Sequence, residues 1–130
     1  MFGPDVEVED ALDARFKNGP TRYLSLSSTE PVVGSSGYSG VTEPVGYGRV
    51  TVLPAAWPDA DGRAVQTTVD LPDVTDDLGV FGYWVLWSAS SGGSALWAGE
   101  FDEPLTLTDG TSNISVTVRV ESPLSLFDLD

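Results

Sequence analysis

The chain contains no histidine and no cysteine, and its 130 residues hold only six lysines and arginines against 20 aspartates and glutamates. Without histidine it lacks the one side chain that ordinarily changes charge near neutral pH. Without cysteine it has no thiolate nucleophile, no soft metal ligand and no disulfide, and it offers no redox argument about compartment. Serines are plentiful, but none can find the histidine of an ordinary triad, and the lysine-type alternatives reduce to Lys17 alone. The formal charge of −14 repels nucleic acid and anionic lipid, so direct binding to either is not expected. It suits solubility, or docking on a basic partner surface. No stretch approaches the roughly 20 apolar residues of a membrane span. The opening MFGPDVEVEDALD is acidic where a secretory signal would be basic and then apolar, so synthesis and folding in a cytoplasm are expected.

What is present is mostly β-like. The length predicts one domain with a single core, large enough to bury about two-thirds of the extended chain's surface. One segment reads as helix. Pro4 and Asp5 offer a start, Glu7, Glu9 and Asp10 suit its N-terminal end, and Arg15 and Lys17 suit the other. Val8, Leu12 and Phe16 form one apolar stripe, and Asn18-Gly19-Pro20 is a stop in which Gly19 can take a left-handed cap. A helix of about three turns is too short to stand alone, so it should lie on the sheet or on a neighbour. Residues 1–19 are thus expected as an N-terminal arm and short helix, and 20–130 as a β-sandwich.

After Pro20 the period changes to two. Strands are expected over Arg22–Ser27, Tyr47–Leu53 and Val65–Leu71. Val80–Trp87 reads as a central strand, with residues 81, 83, 85 and 87 on one face and 82, 84 and 86 on the other. Ser88–Ser94 should turn that strand back as a hairpin through Ala95–Phe101. Further strands follow from Leu105, over Ile114–Val120, and over Leu124–Leu129. Thr29–Pro44, Pro54–Arg63 and Pro72–Gly79 read as loops, the first long enough to suggest a function or an interface. About eight short strands spaced by roughly 8–12 residues predict a single antiparallel β-sandwich, jelly-roll or immunoglobulin-like, with one short N-terminal helix. No fixed repeat or sustained heptad encodes a fibrous stalk.

Candidate chemistry is sparse. Asp59-Ala60-Asp61-Gly62 resembles a calcium-loop fragment, but the place of the bidentate glutamate falls on Thr68, and Asp and Gly favour turns for backbone reasons. Asp59 and Asp61 therefore stand as a turn with at most a weak calcium site, and no cofactor is expected. The acid clusters Asp73-Asp76-Asp77 and Asp102-Glu103 read as solvated turns. A glycosidase would need two carboxylates facing across a cleft. Trp84, Trp87 and Trp97 fall in strands and are expected in the core or a subunit interface, whereas Trp57, in a proline-flanked loop, is the better candidate for an exposed contact. Asn113-Ile114-Ser115 matches a glycosylation acceptor, which matters only in a eukaryotic secretory route.

The order ALDARFKN, TRYLSLSSTEP, GYGRVTV, AAWPDADGRAV, DDLGVFGYWVLWSASSGGSALWAGEFDEPLTLTDG and LSLFDLD resembles a family of small bacteriophage virion proteins, described as tail fibre, minor capsid or capsid decoration proteins. The chain departs from it at Leu86-Trp87-Ser88 and by an insertion, NISVTVRVESP. The resemblance implies a non-enzymatic virion subunit with no catalytic residues to transfer. A capsid decoration protein docked on the head shell is the first expectation, favoured by the lack of a stalk. A tail-fibre or tail-tip subunit binding host glycan is the alternative. The partners it implies are the major capsid protein or other virion subunits, with a homo-oligomer expected, a trimer among its forms. Candidate interface residues are Phe2, Val6, Val8, Tyr38, Trp57, Phe127 and Leu129.

Overall fold

The computed structural model describes residues 12–60 and 64–121. Among these residues eight strands follow in order: β1 (Arg22–Ser27), β2 (Val32–Gly34), β3 (Gly37–Ser39), β4 (Val50–Val52), β5 (Ala64–Leu71), β6 (Gly79–Trp87), β7 (Ala95–Leu107) and β8 (Ile114–Glu121). Six form an antiparallel sheet in the order β2-β3-β7-β6-β1-β4, and β5 and β8 form a second, two-stranded sheet. The molecule is mainly β with one short helix, as a sandwich of about eight strands requires.

The period-two pattern explains how the sheets meet. Leu24 and Leu26 of β1, Trp84 and Leu86 of β6, and Trp97 and Leu107 of β7 enter one core cluster from the large sheet. Val65, Val69 and Leu71 of β5 and Val116, Val118 and Val120 of β8 enter it from the small one. Thr67 shares the inward face of β5, and its hydroxyl donates to the Ala56 carbonyl at 2.6 Å, so the buried group is satisfied. Residues 12–15 are helical. Leu12 and Phe16 are fully buried, and the Phe16 ring lies 4.5 Å from that of Trp57 and 4.7 Å from that of Trp97. The expected stripe thus docks on the sandwich of its own chain; Val8 lies outside the described residues, as does the expected strand over Leu124–Leu129.

Several boundaries differ from expectation. Gly19 is not in the left-handed region; a Cβ there would meet the Arg15 carbonyl oxygen at 2.5 Å, so close backbone approach is what demands glycine. The predicted loop over Thr29–Pro44 contains the β2–β3 hairpin. The expected strand over Tyr47–Leu53 is reduced to Val50–Val52: the chain turns at Gly46 (φ 75°), and β1 pairs with residues 50–52 alone. The Ser88–Ser94 turn falls as predicted, closed by a Ser88 N–H bond to the Ser94 carbonyl at 3.0 Å. Beyond it, the two expected strands are one, β7. Phe81 pairs Leu105 while Tyr83 pairs Glu100, so a two-residue step on β6 is matched by a five-residue step on β7. The excess bulges out around Asp102 and Pro104. This irregularity also moves Phe81 into the core cluster with Trp84 and Leu86, rather than onto the face of Val85 and Trp87.

Candidate functional site

Exposed valines mark the site with the clearest capacity to bind. Among the described residues β2 is an edge strand, paired only with β3, and β3 is joined to β7 by the single register pair Tyr38–Ala95. Successive residues on a strand face opposite ways. Val32 and Val33 are nevertheless 60% and 62% exposed, so neither face of the hairpin is covered by the described chain. Gly37 permits the arrangement: its φ is 135°, and a Cβ there would collide with the Ala95 carbonyl oxygen. At its base the hairpin is tied down by Ser27, buried at the end of β1, whose Oγ accepts from the Thr42 N–H at 3.0 Å and donates to the Thr29 carbonyl at 2.6 Å.

Beside this edge is a cleft of about 140 Å³ bounded by Glu30, Pro31, Tyr38, Tyr83, Gly99 and Glu100. Burial, and then the charges of Glu30 and Glu100, push the Tyr83 hydroxyl above its ordinary pKa. Two phenol rings and two carboxylates are chemistry suited to a cationic side chain.

A larger groove of about 530 Å³ runs between the β7 bulge and β8. Its acids, Glu100, Asp102 and Glu103, all stand on the β7 wall, while the opposite wall offers Gln66, Ser115, Thr117 and Arg119. Among the described residues, the carboxylates of this groove thus all stand on one wall. Asp70 accepts from the Ser115 hydroxyl at 2.7 Å across the outer face of the small sheet, and Arg119 donates to Gln66 at 3.0 Å.

The outward face of β6 around Val85 and Trp87 is covered by the chain itself, whereas Val80 at the start of the strand is 54% exposed. Arg49 stacks 3.6 Å from the centre of the Trp87 ring, donates to Glu43 at 2.8 Å from Nε, and donates from Nη1 to the carbonyls of Ala89 and Gly92. Trp87 in turn donates to Ser25 Oγ at 2.7 Å, and Val85 beside it is fully buried. Arg49 thereby fastens the segment around Glu43 to the Ser88–Ser94 turn.

Of the residues chosen from sequence, Tyr38 is half-buried at the hairpin edge. Trp57 is 3% exposed, so the expectation of a surface contact is overturned: the prolines flank a segment whose indole closes over Phe16. Asp59 forms an ion pair with Lys17, and the Ala60 N–H donates to Asp13 at 2.8 Å, so this loop is fastened to the helical segment. Asp61, Phe2, Val6, Val8, Phe127 and Leu129 lie outside the described residues. No group of three or more metal-ligating side chains occurs among the described residues. Sequence expectation places Val32 and Val33 in a loop, yet VVGSSGYS, two short β-prone runs about a serine-glycine turn, carries the turn signal of a hairpin. No protein-family model matches the chain, and no curated protein is significantly similar to it.

Proposed function

We propose that this chain is a non-enzymatic structural subunit of a bacteriophage virion, a capsid decoration or minor capsid protein that docks on the head shell through the β2–β3 edge. The observation that carries the proposal is the pair of exposed valines on an edge strand with an unpaired side among the described residues. Strand addition at such an edge supplies main-chain hydrogen bonds, and the valines supply apolar burial. The adjoining cleft of Glu30, Tyr38, Tyr83 and Glu100 would take a lysine or arginine of the partner, which suits an acidic protein seeking a basic surface. The resemblance of the sequence motifs to small virion proteins supplies the setting. The absence of histidine and cysteine and the one-sided acids of the large groove support a binding role rather than catalysis.

The test is co-sedimentation of the purified protein with emptied or expanded head shells. Binding at a stoichiometry set by icosahedral symmetry is expected. The double substitution Val32→Asp, Val33→Asp should abolish it while changing folding stability by no more than about 0.5 kcal/mol per site, as for exposed positions. Undiminished binding by the double variant, or no binding of the parent protein, would overturn the proposal. A tail subunit that reads host glycan is the second reading, favoured by the largely polar lining of the large groove, which includes Phe101 and Arg119. Specific glycan binding lost on Arg119→Gln would select it.

A further inference from the structure

In a chain so rich in carboxylates, each cation has many acids to choose from. Lys17 takes Asp59, and Arg49 takes Glu43. Arg15 and Arg22 behave differently: they adjoin each other, and no carboxylate pairs with either among the described residues. Arg22 donates from Nη2 to the Arg15 main-chain carbonyl at 3.0 Å. Its side chain lies over the Trp97 ring, with the guanidinium carbon 4.8 Å from the ring centre. The residue is only 7% exposed, and its Nε is shut from water with no acceptor. An unpartnered guanidinium donor in a buried position is costly, and a second guanidinium beside it adds repulsion. Burial, and then the charge of Arg15, hold the Arg22 guanidinium below its ordinary pKa.

Both arginines line one solvent-open pocket of about 250 Å³, lined also by Ser35, Ser36 and Gly37 around the β2–β3 turn and by Leu96 and Trp97. The pocket thus combines two uncompensated cations, two hydroxyl-bearing residues and an apolar wall. A guanidinium presents donors in a planar fork that matches the oxygens of a carboxylate or phosphate.

We infer that the Arg15–Arg22 pocket is a binding site for a single oxyanion group, a carboxylate or a phosphate. The site is separate from the Val32–Val33 edge, and the inference does not depend on the virion proposal. Bound there, the anion offsets part of the positive charge of the arginine pair and joins the turn of the hairpin to the helical segment.

Amide NMR of the full chain, titrated separately with inorganic phosphate and with acetate at constant ionic strength held by chloride, tests the inference. Saturable shifts at Arg15, Arg22, Ser35 and Ser36 are expected with at least one anion. A stronger response to phosphate assigns a tetrahedral ligand, and an equal or stronger response to acetate assigns a carboxylate. Arg15→Gln, at a half-exposed position that should tolerate the change, is expected to weaken binding about tenfold or more, the effect of losing a charged hydrogen bond. Arg119→Gln should leave it unchanged. Because Arg22 is buried, Arg22→Gln is interpreted only if it stays folded, and Arg15→Gln suffices without it. The inference is overturned if neither anion gives saturable shifts in the pocket, or if Arg15→Gln and Arg119→Gln respond alike.

Discussion

Phe16 is the residue on which the N-terminal segment depends. Its ring sits between two indoles, and those indoles come from different places: Trp57 from the segment after a 3-10 turn at Pro54–Ala56, and Trp97 from β7. Phe16→Ala would empty this contact and is expected to cost about 3–5 kcal/mol, the usual range for truncating a buried aromatic. Denaturant unfolding measures that loss, and tryptophan emission should shift to the red as water reaches Trp57 and Trp97. Gly99 makes the opposite case, in which a single added carbon is too much. It pairs with Trp84, whose indole lies so close that a Cβ would meet ring atoms at 2.5 Å. Gly99→Ala should destabilise by about 1–3 kcal/mol through overpacking, seen as a lower denaturant midpoint with the slope unchanged. The stripe of Leu12 and Phe16 was legible in sequence because both its period and its stop signals were local. The burial of Trp57 was not, because flanking prolines describe the backbone and say nothing of where an indole finds its partner.

At the scale of elements, the turn Ser88–Ser94 and the segment around Glu43 are remote in sequence yet fastened by one side chain. Arg49 serves both through its planar fork, with donors to Glu43 on one side and to the Ala89 and Gly92 carbonyls on the other. Lysine keeps the charge but not the fork or the stack on Trp87. Arg49→Lys is therefore expected to cost about 1–3 kcal/mol, as for loss of hydrogen bonds to a charged group. Hydrogen exchange should quicken in residues 88–94 and leave the β5–β8 ladder protected. The strands with clean alternation, β1, β5 and β8, were legible almost to the residue. The merger of two expected strands into β7 was not, because Asp102, Glu103 and Pro104 carry every sign of a turn. Pairing with β6 on either side holds the strand together across them. The β2–β3 hairpin was hidden for a related reason: its strands are three residues each, too short for a period to register.

For the molecule as a whole, charge decides how it meets others. With −14 distributed over 130 residues, two copies repel at long range, and a basic partner is attracted. Salt separates the two kinds of association, since the screening length falls to about 10 Å at 0.1 M. Added salt should strengthen contact between copies and weaken docking on a basic surface. Analytical ultracentrifugation at two salt concentrations, alone and with shells, gives both signs. The sandwich itself was legible from strand spacing and composition. Its division into six strands and two was not, because sequence alternation tells which residues face inward and is silent about which strand lies next to which.

The small sheet has a kinetic consequence. β5 and β8 bracket the β6–β7 hairpin in the chain, and their ladder begins where the hairpin ends, with Leu71 opposite Ile114 and Gly79 opposite Leu107. Pairing of neighbouring strands shortens the loop that remains to be closed, and each halving of such a loop saves about 0.6 kcal/mol of entropy. Nucleation at the Ser88–Ser94 turn would therefore draw the outer pair together, and the folding rate should respond far more to changes in that turn than to changes in the β5–β8 ladder it sets up.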